Sequence, residues 1–244
     1  MKSSLYISVL ALVVSVLTAL WMFLGCHNHK MMQSVDAAQV RAVLNQDPEM
    51  IISALQRYEQ IQREAQIKEA SRLFKANIDE LNNNANTPFV GPKDAKIVLV
   101  EFFDFSCGYC KRLAPAIEAI IKNNPDVKVV FKPITFVAQI SNYAAQAALA
   151  ANEQGKFLEM YALMLGANER LTQDSINAMA EKAGLDMEKF KADVAAKQAQ
   201  DTINEVASLA EKLQIRGVPA LILNGAQLQV VDEAGIQAEI NKLK

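Results

Sequence analysis

The stretch Glu101-Phe-Phe-Asp-Phe-Ser-Cys107-Gly-Tyr-Cys110-Lys111 follows an apolar run at residues 97–100 and precedes a segment with a helical pattern. The apolar run is typical of a buried strand. Two cysteines separated by two residues at such a junction are typical of a redox-active dithiol. A cysteine in the first turn of a helix faces unpaired N–H groups and the positive end of the helix dipole, which stabilise its thiolate. The pair can therefore close a small disulfide and exchange it with a substrate.

The composition excludes several other kinds of chemistry. The chain has 244 residues, a net charge of −2 and no basic cluster, which argues against nucleic acid as a partner. Its three cysteines are too few for a disulfide-stapled scaffold. Both histidines, His27 and His29, lie near the N-terminus, so the body of the protein has no imidazole for a zinc or Ser-His-Asp site. We predict neither a metal site nor a cofactor.

The N-terminal residues 1–30 are predicted to be a signal or membrane-anchor segment. Residues 5–25 are apolar over a length that can span a bilayer. The sequence Phe23-Leu24-Gly25-Cys26 resembles a bacterial lipoprotein signal, in which the cysteine is lipidated after cleavage. Retention as an anchor, lipidation at Cys26 and simple cleavage are all open. Each of them exports the rest of the protein, which predicts a location in the periplasm or cell envelope.

Residues 31–84 are predicted to form a helical oligomerisation segment. Apolar residues such as Ile52, Leu55 and Tyr58 recur at spacings of three and four, and this pattern continues over 49–81 without glycine or proline. Such a long amphipathic helix must cover its apolar face. The face packs either on the catalytic domain of its own chain or on the same helix of another subunit. We expect the second arrangement, a homo-oligomer formed through residues 34–84.

Residues 85–95 form a polar, proline-containing linker, and 96–244 form the predicted catalytic domain. A strand at 96–103, a helix to about 123 and a strand at 127–132 make a βαβ unit. Four helical stretches at 141–154, 156–165, 173–183 and 187–213 make a helical insertion at about 139–214. Asn224-Gly225 is a strong hairpin signal that pairs a strand at 221–223 with one at 227–231, before a last helix. The pattern predicts an α/β fold.

A second motif, Gly217-Val218-Pro219, precedes the later strand. Together with the CxxC motif it makes the chain resemble the thioredoxin superfamily, specifically the DsbA-like exported thiol–disulfide oxidoreductases. Within them it resembles the Com1-like or ScsC-like branch, which carries an N-terminal oligomerisation segment. The resemblance implies a thioredoxin-like fold with an inserted helical subdomain, preceded by a helical N-terminal segment.

The resemblance also implies the roles of individual residues. Cys107 matches an exposed nucleophilic cysteine, Cys110 matches the buried resolving cysteine, and the two form a redox-active disulfide. Pro219 matches the cis-proline that faces the dithiol, with Val218 before it as a substrate ledge. Glu101 matches a buried acid beneath the dithiol, whose raised pKa would allow it to relay the proton of Cys110.

The two residues between the cysteines differ from those of the DsbA oxidases, which usually carry Pro-His. Gly108-Tyr109 is the pair found in DsbC-type isomerases, and we expect both residues to face the substrate. Asp104 competes with Glu101 for part of the acid's role. We therefore predict a protein disulfide oxidoreductase that forms and isomerises disulfides. A pure oxidase and a protein that binds Cu(I) through the two thiols are the alternatives. The implied partners are exported proteins with thiols or disulfides, and a membrane redox partner that reoxidises or reduces the dithiol.

Overall fold

A computed structural model describes residues 14–21 and 36–244 of the chain. The chain divides into two compact units, Met1–Gln60 and Ile61–Lys244. Most of the apolar run at 5–25, together with the predicted lipidation site at Cys26, lies outside the described residues. Within the described part, no helix is both long enough and apolar enough to cross a membrane.

From residue 36 onward, most of the first unit is helical. Helix α1, Ala37–Gln46, begins with a capping box, because the Asp36 side chain caps the first turn and the Gln39 side chain accepts from the Asp36 N–H at 3.2 Å. Helix α2, Glu49–Ala76, starts in this unit and continues into the second. Large apolar side chains of the first unit are exposed: Val40, Val43, Met50, Ile51, Ile52, Leu55 and Tyr58.

The second unit is built on a mixed sheet of five described strands. They are β1 Phe89–Val90, β2 Ile97–Phe103, β3 Val127–Pro133, β4 Ala220–Leu223 and β5 Ala226–Gln227. Their order in the sheet is β1-β3-β2-β4-β5. β2 and β3 run parallel, and the other neighbouring pairs are antiparallel. The central position of β2 explains why all seven of its residues are buried.

Eight further helices belong to the described part of this unit. They are α3 Ile78–Asn82, α4 Gly108–Asn123, α5 Ile140–Asn152, α6 Phe157–Leu165, α7 Gln173–Lys182, α8 Met187–Val194, α9 Lys197–Lys212 and α10 Glu233–Asn241. The predicted single stretch at 187–213 is wrong, because α8 and α9 are separated at Ala196, whose backbone is extended. Phe190 of α8 and Val206 of α9 pack in different apolar clusters, which one straight helix would not reach.

Two other predicted elements end earlier in the structure. The uninterrupted helix at 49–81 is wrong, because α2 ends at Ala76. There the Asn77 side chain donates to the carbonyl of Leu73 at 2.8 Å. The hairpin turn is confirmed, since Asn224 and Gly225 both have positive φ, at 45° and 78°. Its second strand covers only 226–227 instead of 227–231.

Successive residues of β2 point to opposite sides of the sheet. Leu99 and Phe103 belong to an apolar cluster that contains residues of α4, α10 and the helical insertion. Val100 and Phe102 belong to the cluster on the other side. Glu101 therefore lies on the side covered by α4, the helix that carries the dithiol.

The second side of the sheet is covered by the end of α2, by α3 and by α9. Phe74 and Leu81 are 1% and 0% exposed and pack in this cluster. Lys132 of β3 donates from Nζ to the carbonyl of Glu80 at 2.9 Å, which holds α3 against the sheet. The part of the predicted oligomerisation segment from residue 61 onward thus lies in the same compact unit as the predicted catalytic domain.

Candidate active site

Cys107 is the N-cap residue of α4. Its Sγ accepts from the backbone N–H of Cys110 at 3.5 Å and donates to the carbonyl of Val218 at 3.4 Å. The side chain is held between the start of a helix and the loop before β4. Only 7% of the residue is exposed, so the expectation of an exposed cysteine is wrong. The approach of the Val218 loop accounts for this burial.

Cys110 lies in the first turn of α4 and is fully buried. Burial raises the pKa of its thiol far above the ordinary value, and the nearby Cys107 and Glu101 raise it further. The Cys110 thiol is therefore a poor nucleophile until a neighbouring group removes its proton. Of the two cysteines, Cys107 is the one at the N-cap of α4, where its Sγ accepts from the backbone N–H of Cys110.

Glu101 is fully buried on β2, and burial raises its pKa to about 8. The hydroxyl of Tyr161, on α6, donates to Glu101 Oε2 at 2.9 Å. This hydrogen bond opposes the effect of burial, because it stabilises the ionised carboxylate. Glu101 Oε1 is buried and has no hydrogen-bond partner in the described part of the chain. The site thus contains an acid that titrates near neutral pH and has one oxygen available to exchange a proton.

Asp104, the competing acid, is also buried, but its carboxylate is fully engaged. Oδ1 accepts from the Ser106 N–H at 2.7 Å and from the Ser141 hydroxyl at 2.7 Å. Oδ2 accepts from the Val137 N–H at 3.0 Å. These bonds anchor the loop before Cys107 to the start of the helical insertion. Of the two acids, Glu101 is the one with an oxygen free of donors.

The Val218–Pro219 peptide bond is cis, as the resemblance implies. The register of the sheet explains why this loop meets the dithiol, because Ala220 of β4 pairs with Phe102 near the end of β2. The residue before Ala220 is therefore next to the segment that leads from β2 to Cys107. This pairing brings together two motifs that are more than a hundred residues apart in the sequence.

Gly108 and Tyr109 lie on the outside of the first turn of α4. Tyr109 is 70% exposed, and the guanidinium group of Arg112 lies 4.2 Å from the centre of its ring. This contact is a cation–π interaction on an exposed surface. Both residues are therefore exposed on the surface next to Cys107.

The structure brings together Cys107, Cys110, Glu101 and Val218, and it adds Tyr161. Sequence reasoning missed Tyr161, since the residue lies sixty positions from Glu101 within an apolar helix and has no motif around it. No group of three or more His, Cys, Asp or Glu side chains able to hold a metal exists among the described residues.

A family model for the DsbA-like thioredoxin domain matches residues 98–238, which contain the dithiol, Glu101 and the Val218-Pro219 loop. The chain belongs to this family. The DsbA-like assignment confirms the predicted α/β class, a thioredoxin-like fold with a helical insertion.

Solved structures place the chain near ScsC. A linker-deletion mutant of ScsC from Proteus mirabilis is 28% identical, with a TM-score of 0.70, over 86% of this chain and 97% of that chain. The catalytic domain of the same protein is 30% identical, with a TM-score of 0.65, over 70% of this chain and 97% of that chain. These likenesses agree with the ScsC-like branch that the sequence predicts.

Curated relatives differ in length from this DsbA-like chain. The Na(+)/H(+) antiporter NhaA 3 of Salinispora tropica is 32% identical over 137 residues, which are 55% of this chain and 21% of the antiporter. The chain thus spans about a fifth of the length of the antiporters it matches. The probable disulfide bond formation protein D of Bacillus anthracis is 26% identical over 149 residues, 56% of this chain and 69% of that protein.

Proposed function

We propose that this protein is an exported thiol–disulfide oxidoreductase that forms and isomerises disulfides in other exported proteins. The observation that carries the proposal is the position of Cys107 Sγ, at the N-cap of α4 between the Cys110 N–H and the Val218 carbonyl. A thiolate there is stabilised by the helix terminus, and a neighbouring backbone carbonyl is available to a substrate strand. The name of the Bacillus anthracis relative supports the same chemistry.

The proposed reaction moves two electrons between the dithiol and a substrate disulfide. When the reduced protein reacts, the Cys107 thiolate attacks a substrate sulfur, forms a mixed disulfide and releases the other substrate sulfur as a thiolate. The Cys110 thiol then gives its proton to ionised Glu101 and attacks Cys107 Sγ. The bond between Cys107 and the substrate breaks, the second substrate thiol leaves, and Cys107 and Cys110 are joined.

The oxidised protein runs these steps in reverse. A substrate thiolate attacks Cys107 Sγ, and Cys110 leaves as a thiolate that takes a proton from Glu101. A second substrate thiolate then attacks the mixed disulfide, so the substrate gains a disulfide and the Cys107 thiolate is restored. Because the pKa of Glu101 is about 8, both forms of the carboxyl group are available near neutral pH.

The residues between the cysteines support combined isomerase and oxidase activity. Neither Gly108 nor Tyr109 offers a positive charge to the Cys107 thiolate, so its stabilisation depends mainly on the helix terminus. A less stabilised thiolate makes the disulfide a weaker oxidant, which suits a protein that also reshuffles disulfides. A pure oxidase would use the same residues. A Cu(I)-binding protein would use the same two thiols.

The test uses two forms of ribonuclease A. We expect the purified protein to oxidise the reduced enzyme and to restore activity to the scrambled enzyme. Oxidation without rescue of scrambled ribonuclease would favour the pure oxidase, and failure in both assays would overturn both enzymatic proposals. If neither assay responds but Cu(I) binds tightly with one ion per dithiol, the metal-binding alternative replaces them.

We further propose that residues 1–30 export the chain to the periplasm or cell envelope, where a membrane redox partner resets the dithiol. The exposed apolar residues of the first unit, among them Val43, Leu55 and Tyr58, support a homo-oligomer formed through 34–84. Thiol trapping in intact cells tests the direction of electron flow. A mostly reduced dithiol would indicate isomerisation, and a mostly oxidised one would indicate disulfide donation.

Replacing Glu101 with glutamine should slow resolution of the mixed disulfide by roughly a hundredfold, because glutamine neither accepts nor returns the proton of Cys110. Stopped-flow measurement of the second thiol released separates this step from the attack by Cys107. An unchanged resolution rate would contradict the proposed role of Glu101.

The same variant should change how stability depends on pH. The pKa of Glu101 is raised from 4.5 to about 8 in the folded state, so the folded state binds the proton more tightly than the unfolded state. The free energy of unfolding therefore falls as pH rises from about 4.5 to 8, by about 1.4 kcal/mol for each unit of pH. The Glu101→Gln variant should lack this slope in urea unfolding measured across that range.

Replacing Tyr161 with phenylalanine removes the hydroxyl that stabilises the Glu101 carboxylate. The pKa of Glu101 should then rise by about one unit or more, since a hydrogen bond to a charged group contributes about 1.5–3 kcal/mol. The pH profile for resolution should move upward accordingly. Tyr143→Phe is the matched control, because the Tyr143 hydroxyl donates to Asn177 at 2.7 Å, and its profile should stay in place. Equal shifts in both variants would argue against a specific effect of Tyr161.

A further inference from the structure

A groove of about 910 Å³ opens beside the loop that contacts Cys107. Residues of α2 from Arg63 to Phe74 line the groove, as does the chain from Leu213 to Pro219. Gln227 of β5, a strand at the edge of the sheet, also lines the groove. The groove therefore begins at the Val218-Pro219 loop, which contacts Cys107, and continues along α2.

The lining of the groove is suited to a peptide main chain. Four glutamine side chains line it, at Gln66, Gln214, Gln227 and Gln229. None of these four amides makes a hydrogen bond within the described part of the chain, so all four are free to pair with a ligand. Each amide offers both a donor and an acceptor, which are the groups that an extended peptide presents. Extended segments commonly bind beside a sheet edge.

The lining of the groove carries unpaired positive charge, whereas its negative charge is paired. Arg63 and Arg216 are exposed and have no ion-pair partner in the described part of the chain. Glu69 is the acid of the lining, and its carboxylate is already held by Arg72, at 2.6 and 2.8 Å. The two arginines thus remain to attract an anion. Arg216 is the closer of the two to Val218 in the sequence and lies two residues before it.

We propose that this groove binds an extended, acidic segment of the substrate protein while the substrate cysteine is joined to Cys107. The proposal rests on the proposed function and adds a substrate class to it. It assigns to α2 a direct part in substrate binding, since Arg63 and Gln66 of that helix face the segment that Arg216 and Val218 hold on the other side. Arginine suits this position because its planar guanidinium can donate two parallel hydrogen bonds to one carboxylate.

The test uses three blocked peptides that differ only in the residues beside one cysteine, which are glutamate, glutamine or lysine. Each cysteine is joined by a disulfide to a coloured aromatic thiol, whose release reports attack by Cys107 of the full-length reduced protein. We expect the glutamate peptide to react about three- to tenfold faster than the lysine peptide at low ionic strength, as two exposed charge pairs allow. About 1 M salt should remove most of the difference.

Charge reversal gives the decisive comparison. The double variant R63E/R216E should reverse the order, so that the lysine peptide reacts faster. The control R41E/R57E changes the same number of charges outside the groove, and it should keep the original order. Equal rates for the three peptides in the unaltered protein, or an unchanged order in R63E/R216E, would overturn the proposal. A reversed order in R41E/R57E would also overturn it, because the effect would then follow net charge alone.

A small neutral substrate distinguishes failure of the proposed dithiol chemistry from failure of the groove proposal. Hydroxyethyl disulfide has no flanking residues, so its reaction with the unaltered reduced protein tests only the proposed dithiol chemistry. No reaction with this compound or with any peptide means that the proposed function is wrong. Reaction with hydroxyethyl disulfide and no charge preference among the peptides means that only the groove proposal is wrong.

Discussion

The Cys107→Ser variant should lose disulfide exchange entirely, whereas Cys110→Ser should stop after the first step. A serine hydroxyl at position 107 is not ionised at neutral pH and lacks the reactivity of a thiolate. In Cys110→Ser the Cys107 thiolate is still present at the N-cap of α4, but the group that resolves the mixed disulfide is missing. Non-reducing gels and intact-protein mass spectrometry should therefore show a stable adduct of Cys110→Ser with scrambled ribonuclease, and none for Cys107→Ser.

The third cysteine provides the control for these variants. Cys26→Ser should retain both ribonuclease activities, because Cys26 lies far from the dithiol in the sequence and has no part in the proposed reaction. Full activity of Cys107→Ser would show that the nucleophile is assigned wrongly. An adduct that forms through Cys110 instead of Cys107 would show that the two roles are exchanged.

The second large effect is expected at Phe74, the buried aromatic residue near the end of α2. Phe74→Ala should lower the free energy of unfolding by about 3–5 kcal/mol, because it removes a fully buried ring from the cluster that contains Phe102 and Ile222. Urea unfolding followed by circular dichroism measures this loss. Phe136→Ala is the matched control, since Phe136 is 56% exposed and its replacement should change stability by less than about 1 kcal/mol. Equal losses in the two variants would contradict the packing of α2 on the sheet.

The packing of Phe74 also decides how the proposed oligomerisation should be tested. A chain that starts at residue 85 loses Phe74 and Leu81 and leaves one side of the sheet uncovered, so it should unfold or aggregate. A chain that starts at residue 61 keeps both residues and removes the exposed apolar side chains of the first unit. Sedimentation should show it as a monomer that retains oxidase activity and loses isomerase activity. A monomer both before and after the deletion would contradict the proposed oligomer.

Local patterns were sufficient for the parts of the site that depend on local geometry. Cys107 and Cys110 are identifiable because two residues between cysteines at a strand-to-helix junction allow few other structures. The place of Val218-Pro219 beside the dithiol is implied by the resemblance, and the strand pairing of Phe102 with Ala220 accounts for it. The acid at Glu101 was inferred from the resemblance, and its burial and raised pKa agree with that inference.

Contacts between distant segments were not predictable in the same way. The hydroxyl of Tyr161 meets Glu101 only because the helical insertion packs on the side of the sheet that α4 covers. The periodic pattern of 49–81 indicates an apolar face but not its partner, so the burial of Phe74 on its own chain could not be read from it. The separation of α8 from α9 at Ala196 has no glycine or proline signal, and the two helices pack in different apolar clusters.

The position of Glu101 within β2 limits where an acid could serve the dithiol at all. The side chains of a strand change sides at every step, so moving the carboxyl group by one residue in either direction would bury it among Phe74 and Leu81, away from Cys110. Residues 99 and 103 are the nearest positions whose side chains lie on the same side of the sheet as Glu101, and both are occupied by apolar core residues. Insertion or deletion of one residue between Glu101 and the end of β2 at Phe103 would thus separate acid from thiol even if every residue of both motifs were retained. For proteins that share this arrangement, the count of residues from the acid to the first cysteine is as informative as the motifs themselves.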